Sequence, residues 1–187
     1  YAGNLAYGLS PHLVERIRAA DLLLVVGARL GEATTDGYAI VTPEHPGQLL
    51  VHVHPDPEEL DRVYRTDLAI CADPGDFAET AALWEDRTII PVDAGAQAHA
   101  EWLAWSTPRT EERYRLDLAR AMAAAREILP PDSIICNGAG NFAGWWHRYW
   151  PYAGFPSQLA PTCGAMGYGL PAAVAAALRF PDRTVVN

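Results

Sequence analysis

Asp21–Leu30, DLLLVVGARL, decides the fold: five consecutive apolar residues run from Leu22 to Val26 and stop at Gly27. A short unbroken apolar run ended by glycine reads as a strand buried on both faces, which is the habit of parallel sheets. Upstream, Ser10-Pro11 supplies an N-cap and a first-turn proline, and Leu13, Ile17 and Ala20 recur at helical spacing. Downstream the pattern repeats. Leu49–Val53 reads as a second strand, Asp56-Pro57-Glu58-Glu59 as a D-x-x-E capping box, Leu68–Ala72 as a third strand, and Asp73-Pro74 as the start of a helix to about Trp84. Alternating strands and helices predict a doubly wound α/β unit, with ligands beyond the carboxyl ends of its strands.

From Asp86 to Arg109 the periodicity weakens, and Pro91, Gly95 and Pro108 punctuate it. The expected organisation is therefore a first α/β unit over 1–86, a linker over 87–109 and a second unit over 110–187. In the second unit, Tyr114, Leu118, Ala121, Ala125 and Ile128 line one helix face, ended by Pro130-Pro131. Further expectations are a strand over Ser133–Cys136, a helix over Phe142–Tyr149, a short strand over Gln158–Pro161, a helix over Gly167–Phe180 and a strand over Arg183–Val186. The fold class is α/β, with two incomplete Rossmann-like units.

Composition narrows the function. The 187 residues carry 14 basic and 23 acidic side chains, a net charge of −9, which disfavours a nucleic-acid partner. No apolar run approaches the roughly 20 residues that span a bilayer. Three cysteines without CxxC spacing predict neither a disulfide framework nor a zinc site, and suit a reducing, cytoplasmic setting. The chain does not open with Met, and both ends read as interior sequence of a longer protein.

Two glycine-rich segments carry the chemistry. Asn137-Gly138-Ala139-Gly140-Asn141 follows a strand, so its backbone can approach an anion closely; taken alone, such a segment is most often just an ordinary turn. The second, Gly164–Ala173, reads GAMGYGLPAA and leads into an alanine-rich helix. Together with DRTVV at the end of the chain, this wording resembles the diphosphate-binding domain of thiamine-diphosphate enzymes of the acetohydroxyacid (acetolactate) synthase group. DLLLVVGARL and LLVHVHPDPEEL resemble the end of that family's central domain.

The resemblance implies a thiamine-diphosphate enzyme, a transferase or lyase, that decarboxylates a 2-oxo acid and passes the remaining carbon unit to an acceptor. Benzoylformate-type decarboxylases, glyoxylate carboligases and aldehyde lyases remain open, as does a noncatalytic nucleotide-binding module. By the same resemblance, Gly164 would offer its carbonyl to the cofactor's 4′-amino group, flanked by Ala165. Met166 would prop the bent cofactor, and Gly140, Asn141 and Phe142 would touch the diphosphate. Met166 also reads as a core methionine. The catalytic glutamate and the Mg²⁺ ligands, the latter in a Gly-Asp-Gly turn and a later Asn after residue 187, are expected outside this chain. No metal ligand is expected within it, and the chain alone should be inactive. The complete protein is expected to form a homodimer or homotetramer.

Related central domains bind FAD, another nucleotide or none, and Arg29, Asp56 and Asp73 match positions near that ligand. His54 replaces the acidic residue usual in FAD-containing relatives, so FAD stays open. Asp56 and Asp73 each precede proline, which also explains them as helix caps. His52 and His54 share a strand face but lack a third metal ligand. Trp145–Trp150 reads as an aromatic core or interface cluster more than as the wall of a pocket, and no neighbouring residue in the sequence marks His147 or Cys163 as reactive.

Overall fold

The computed structural model describes residues 1–44, 46–84, 92–109 and 116–187, with the side chain of Val92 excepted. The expected boundary at 86/87 and the helix-face residue Tyr114 lie outside them. The chain divides into two compact units, Tyr1–Trp102 and Leu103–Asn187.

In the first unit, α1 (Pro11–Ala19) precedes β1 (Leu22–Val26). Ser10 caps α1 without a side-chain hydrogen bond, and Pro11 opens the first turn. The strands β2 (Leu49–His54) and β3 (Leu68–Cys71) complete a parallel sheet of order β1-β2-β3. Leu50 and Val53 are fully buried in the central strand. Ile40, Val41, Leu50 and Tyr64 form the core, packed by Val14, Ile17, Leu23 and Val25. Each such side chain contributes about 1.5–3 kcal/mol on burial.

Burial along β1 alternates, which corrects the expectation of a strand enclosed on both faces. Leu23 and Val25 enter the core, whereas Leu22 and Leu24 are half-exposed and Val26 is 37% exposed. Among the described residues the strand lies at the edge of its sheet and its core neighbours pack on one face, so hydrophobicity and enclosure part company here.

The D-x-x-E box at Asp56 opens only a short 3₁₀ turn, Pro57–Glu59. Asp56 accepts from the Glu58 amide, but the Glu59 carboxylate pairs with Arg29 and Arg62 instead of returning to the cap. After β3 comes α2 (Pro74–Ala81), three residues shorter than expected and capped by Asp73, which accepts from the Gly75 amide at 2.7 Å. Gly27 ends β1 at φ +69°, and a Cβ there would sit 2.6 Å from Pro74 Cγ. Its amide is tied to the Val53 carbonyl at 2.8 Å.

The described part of the expected linker is mostly helical: α3 spans Val92–Ser106. Its alanines favour helix despite a weak amphipathic pattern, because intrinsic propensity needs no apolar stripe.

In the second unit, α4 (Leu118–Ile128) is capped by Asp117, whose side chain accepts from Ala119 and Arg120 amides. It is followed by β4 (Ile134–Cys136), α5 (Ala143–Tyr149), β5 (Gln158–Leu159), α6 (Gly169–Arg179) and β6 (Val185–Val186). The parallel sheet has the order β5-β4-β6. Here the central strand is enclosed on both sides. Ile135 packs with Met122, Tyr149 and Trp150, while Ile134 and Cys136 pack with Ala176 of α6. The aromatic run therefore serves this unit's own core. Pro171 lies in the first turn of α6, where its missing N–H costs no helical bond. The described residues thus form two three-stranded parallel sheets in Rossmann-like α/β units.

Candidate functional site

The second unit brings its two glycine segments together at the carboxyl ends of β4 and β6. A Cβ on Gly138 would lie 3.8 Å from the Gly167 amide nitrogen and 3.9 Å from that of Gly169. The contact at Gly169 is tighter still: a Cβ there would meet Asn187 Oδ1 at 2.6 Å, the Gly138 nitrogen at 2.9 Å and the Asn137 carbonyl carbon at 3.0 Å. The seam closes because Gly169 lacks a side chain, whereas a Cβ on Gly138 would stand at ordinary van der Waals distance. Gly140 adopts φ +150°, open to glycine and strained for other residues, and Phe142 lies over it.

Around this seam the predicted residues divide by exposure. Asn141, Phe142, Gly164, Ala165 and Met166 are all exposed, and Gly140 is half-buried. Met166 is 87% exposed, so within this chain it is not the core methionine its chemistry also allowed. Cys163 is exposed beside it. Burial pushes the Cys136 thiol up, which keeps it an inert packing group.

Asn137 and Asn187 did not stand out individually in the sequence. Asn137 is 4% exposed; its Nδ2 donates to the Gly138 carbonyl at 3.0 Å, while its Oδ1 is buried without a partner among the described residues. Helix α6 has no side-chain cap, leaving its first amides without the acceptor a cap would supply.

The fit to a diphosphate rests on these observations. A glycine cradle admits bulky phosphate oxygens, an uncapped helix start offers N–H donors, and a positive-φ glycine turn lets the backbone approach. Among the described residues no cluster of three His, Cys, Asp or Glu side chains could hold a metal ion.

In the first unit, a cavity of about 170 Å³ is lined by residues that include Arg29, Tyr38, His52, Glu59, Arg62 and Tyr64. Burial raises the Glu59 carboxyl, but hydrogen bonds and charge from Arg29 and Arg62 outweigh it, and the group ionises below its ordinary range. Two guanidiniums against one carboxylate leave the cavity a formal positive charge. His52 is buried and donates from Nε2 to the Ala28 carbonyl at 2.9 Å, which removes that nitrogen from metal binding. Asp56 and Asp73, placed near a nucleotide by sequence, are occupied as caps and do not line this cavity. Glu59 and Arg62 were missed because the D-x-x-E pattern was already explained by capping.

Comparison with known proteins agrees with this arrangement. Residues 1–81 match the thiamine pyrophosphate enzyme central domain, and residues 138–187 match the C-terminal thiamine pyrophosphate binding domain. The chain belongs to the thiamine pyrophosphate enzymes. Among curated relatives, a probable chloroplastic acetolactate synthase 2 of Oryza sativa subsp. japonica is 28% identical over 182 residues, covering 90% of this chain and 26% of the relative. The acetolactate synthase isozyme 1 large subunit of Escherichia coli K12 is 31% identical over 182 residues, covering 91% and 30%. A sulfoacetaldehyde acetyltransferase of Rhodobacter capsulatus is 30% identical, covering 100% and 36%. The chain thus spans about a quarter to a third of the length of these relatives. This thiamine pyrophosphate family chain is acetolactate synthase-like, and no helix among its described residues is long and apolar enough to cross a membrane.

Proposed function

We propose that this chain forms the end of the central domain and the start of the diphosphate-binding domain of a decarboxylating carboligase that acts on 2-oxo acids. The observation that carries this reading is the glycine seam at Gly138, Gly167 and Gly169, with its uncapped helix start, in the segment matching the thiamine pyrophosphate binding domain. The domain division at 1–86, 87–109 and 110–187 is retained as part of the proposal, with α3 lying in the linker.

When bound, thiamine diphosphate would supply a nucleophilic carbon for the keto group and a cationic ring able to take up the electrons left by loss of CO₂. The chain's own residues bind and orient it. Gly140, Asn141 and Phe142 present the turn that receives the diphosphate, and Gly164 offers a backbone acceptor to the aminopyrimidine. Ala165 flanks that acceptor. Met166 supports the bent form, which makes proton removal an intramolecular event. The Mg²⁺ ligands and the catalytic glutamate would lie outside this chain.

The cavity around Arg29 and Arg62, positive on balance, suits an anionic group such as one phosphate of a nucleotide, and FAD itself stays open. Assembly as a homodimer or homotetramer and a cytoplasmic setting complete the proposal.

Relatives named for two different reactions match at 28% to 31% identity, so an assay decides the donor and acceptor. The complete protein, supplied with thiamine diphosphate and Mg²⁺, is incubated with pyruvate, glyoxylate or benzoylformate. Acetolactate from pyruvate is expected. Turnover only with another acid would move the protein to a sister reaction, and the absence of any thiamine-diphosphate-dependent product would remove the reading.

A further inference from the structure

The chain has two methionines, and the fold treats them oppositely. Met122 of α4 is 5% exposed and packs with Ile135, Tyr149 and Trp150, so its sulfur is enclosed in the second unit's core. Met166 is 87% exposed. Its turn offers no cover. Gly164 and Gly167 flank the Ala165-Met166 pair at φ +70° and +85°, and a Cβ at either glycine would meet nothing within 4 Å apart from its chain neighbours.

An exposed thioether reacts with peroxides to give a sulfoxide, which turns a flexible apolar side chain into a polar one. With hydrogen peroxide, the sulfur lone pair attacks one oxygen and the O–O bond breaks. The sulfur loses two electrons and gains an S–O bond, while the peroxide is reduced: its second oxygen takes the proton of the transferred one and leaves as water. No deprotonation of the protein is needed. Cysteines, by contrast, react as thiolates, so mildly acidic buffer slows the competing oxidation of exposed Cys163, three residues upstream, and leaves the thioether reactive. Access in the complete protein follows from the role proposed for Met166: a side chain on which the cofactor comes to rest is open to the incoming cofactor, and hydrogen peroxide is far smaller. Once the cofactor is seated, the same sulfur is covered.

We propose that Met166 is a peroxide-modification site of the cofactor-free protein, its sulfoxide placing a polar oxygen where the cofactor needs an apolar support and so weakening thiamine diphosphate binding. Bound cofactor shields the sulfur. This rests on the thiamine-diphosphate reading above and adds to it a reversible chemical control of the same site, since methionine sulfoxide reductases return the thioether.

The test treats the complete protein with hydrogen peroxide in mildly acidic buffer, with and without saturating thiamine diphosphate and Mg²⁺, and maps its peptides by mass. After the peroxide is removed, calorimetric titration measures thiamine diphosphate affinity at saturating Mg²⁺. The peptide holding Met166 should gain one oxygen atom in the cofactor-free sample and keep its mass in the loaded one, with Met122 unchanged in both. Affinity for thiamine diphosphate should fall about tenfold on oxidation, the order of the cost of one unpaired polar atom against an apolar surface, and recover after reductase treatment. Met166→Leu, compared with its own untreated affinity, should be insensitive to peroxide, and Cys163→Ser should behave as wild type. An unoxidised Met166 in the cofactor-free protein overturns the proposal, as does unchanged affinity with the sulfoxide present or an equal loss in Met166→Leu. Should Met166→Leu abolish cofactor binding, the reductase step decides: affinity that stays low after the added oxygen is gone overturns the proposal. Untreated wild-type protein that binds no thiamine diphosphate in the presence of Mg²⁺ would defeat the parent reading and the proposal with it, an outcome separate from normal binding that oxidation leaves untouched.

Discussion

Replacing Gly169 by alanine tests the seam with one methyl group. The added carbon would stand 2.6 Å from Asn187 Oδ1, 2.9 Å from the Gly138 nitrogen and 3.0 Å from the Asn137 carbonyl carbon. The asparagine tip can swing away, but the other two atoms are backbone at the end of β4, so the start of α6 must move. Such overpacking costs about 1–3 kcal/mol, while alanine recovers at most about 1 kcal/mol of helix propensity. The net expectation is a loss of about 1–2 kcal/mol. Gly95 is the internal control: it lies in α3, is exposed, and a Cβ there meets nothing within 4 Å. Gly95→Ala should stabilise by about 0.5–1 kcal/mol. Urea unfolding of both variants reads the difference directly. If Gly169→Ala is as stable as wild type, or gains like Gly95→Ala, the seam is not closed by backbone contact and the site built on it loses its basis.

Glu59, held in ionised form by Arg29 and Arg62, should contribute stability fully above its unfolded pKa of about 4.3 and lose it as pH falls through the lower folded value. Urea unfolding of wild type and Glu59→Gln should therefore differ most near neutrality and converge in acid; a gap constant down to pH 3 would contradict the ion-pair account. Met166→Ala, at an exposed position, should change the stability of this chain by no more than about 0.5 kcal/mol. In the complete protein it should lower turnover sharply, and an equal loss of stability and turnover would argue for a packing role. Asp73→Ala should cost about 1 kcal/mol through its lost cap. A change in nucleotide affinity without that loss would return Asp73 to the ligand site.

Much of the fold was legible because apolar runs, glycine stops and Asp-Pro helix starts are local signals. β2, β4 and α6 lie within a residue or two of their expected bounds. What misled was inference from hydrophobicity to enclosure: Leu22–Val26 and Ile134–Cys136 read alike as apolar runs, yet only the second is covered on both faces. That difference depends on which elements pack over the strand, which no five-residue window contains. Helix α3 was read as linker because its alanines carry propensity without an apolar stripe.

The site was legible where glycine sets the backbone. It was not legible where a common residue gains meaning from its neighbours. Asn137 is an unremarkable asparagine until its buried, unmatched oxygen is seen, and Glu59 looks like half of a capping box until Arg29 arrives from a distant loop.

The contact between Gly27 and Pro74 bears on how this chain can drift. Any side chain at position 27 faces two obstacles, a φ of +69° and a proline ring 2.6 Å from its first carbon. Replacing Pro74 relieves only the second. No single exchange at either position therefore opens position 27, and a two-step route must pass through an intermediate that still carries the strained backbone. Descendants of this sequence should keep glycine at position 27 while position 74 varies, an asymmetry of tolerance that deep mutational scanning of the pair would expose.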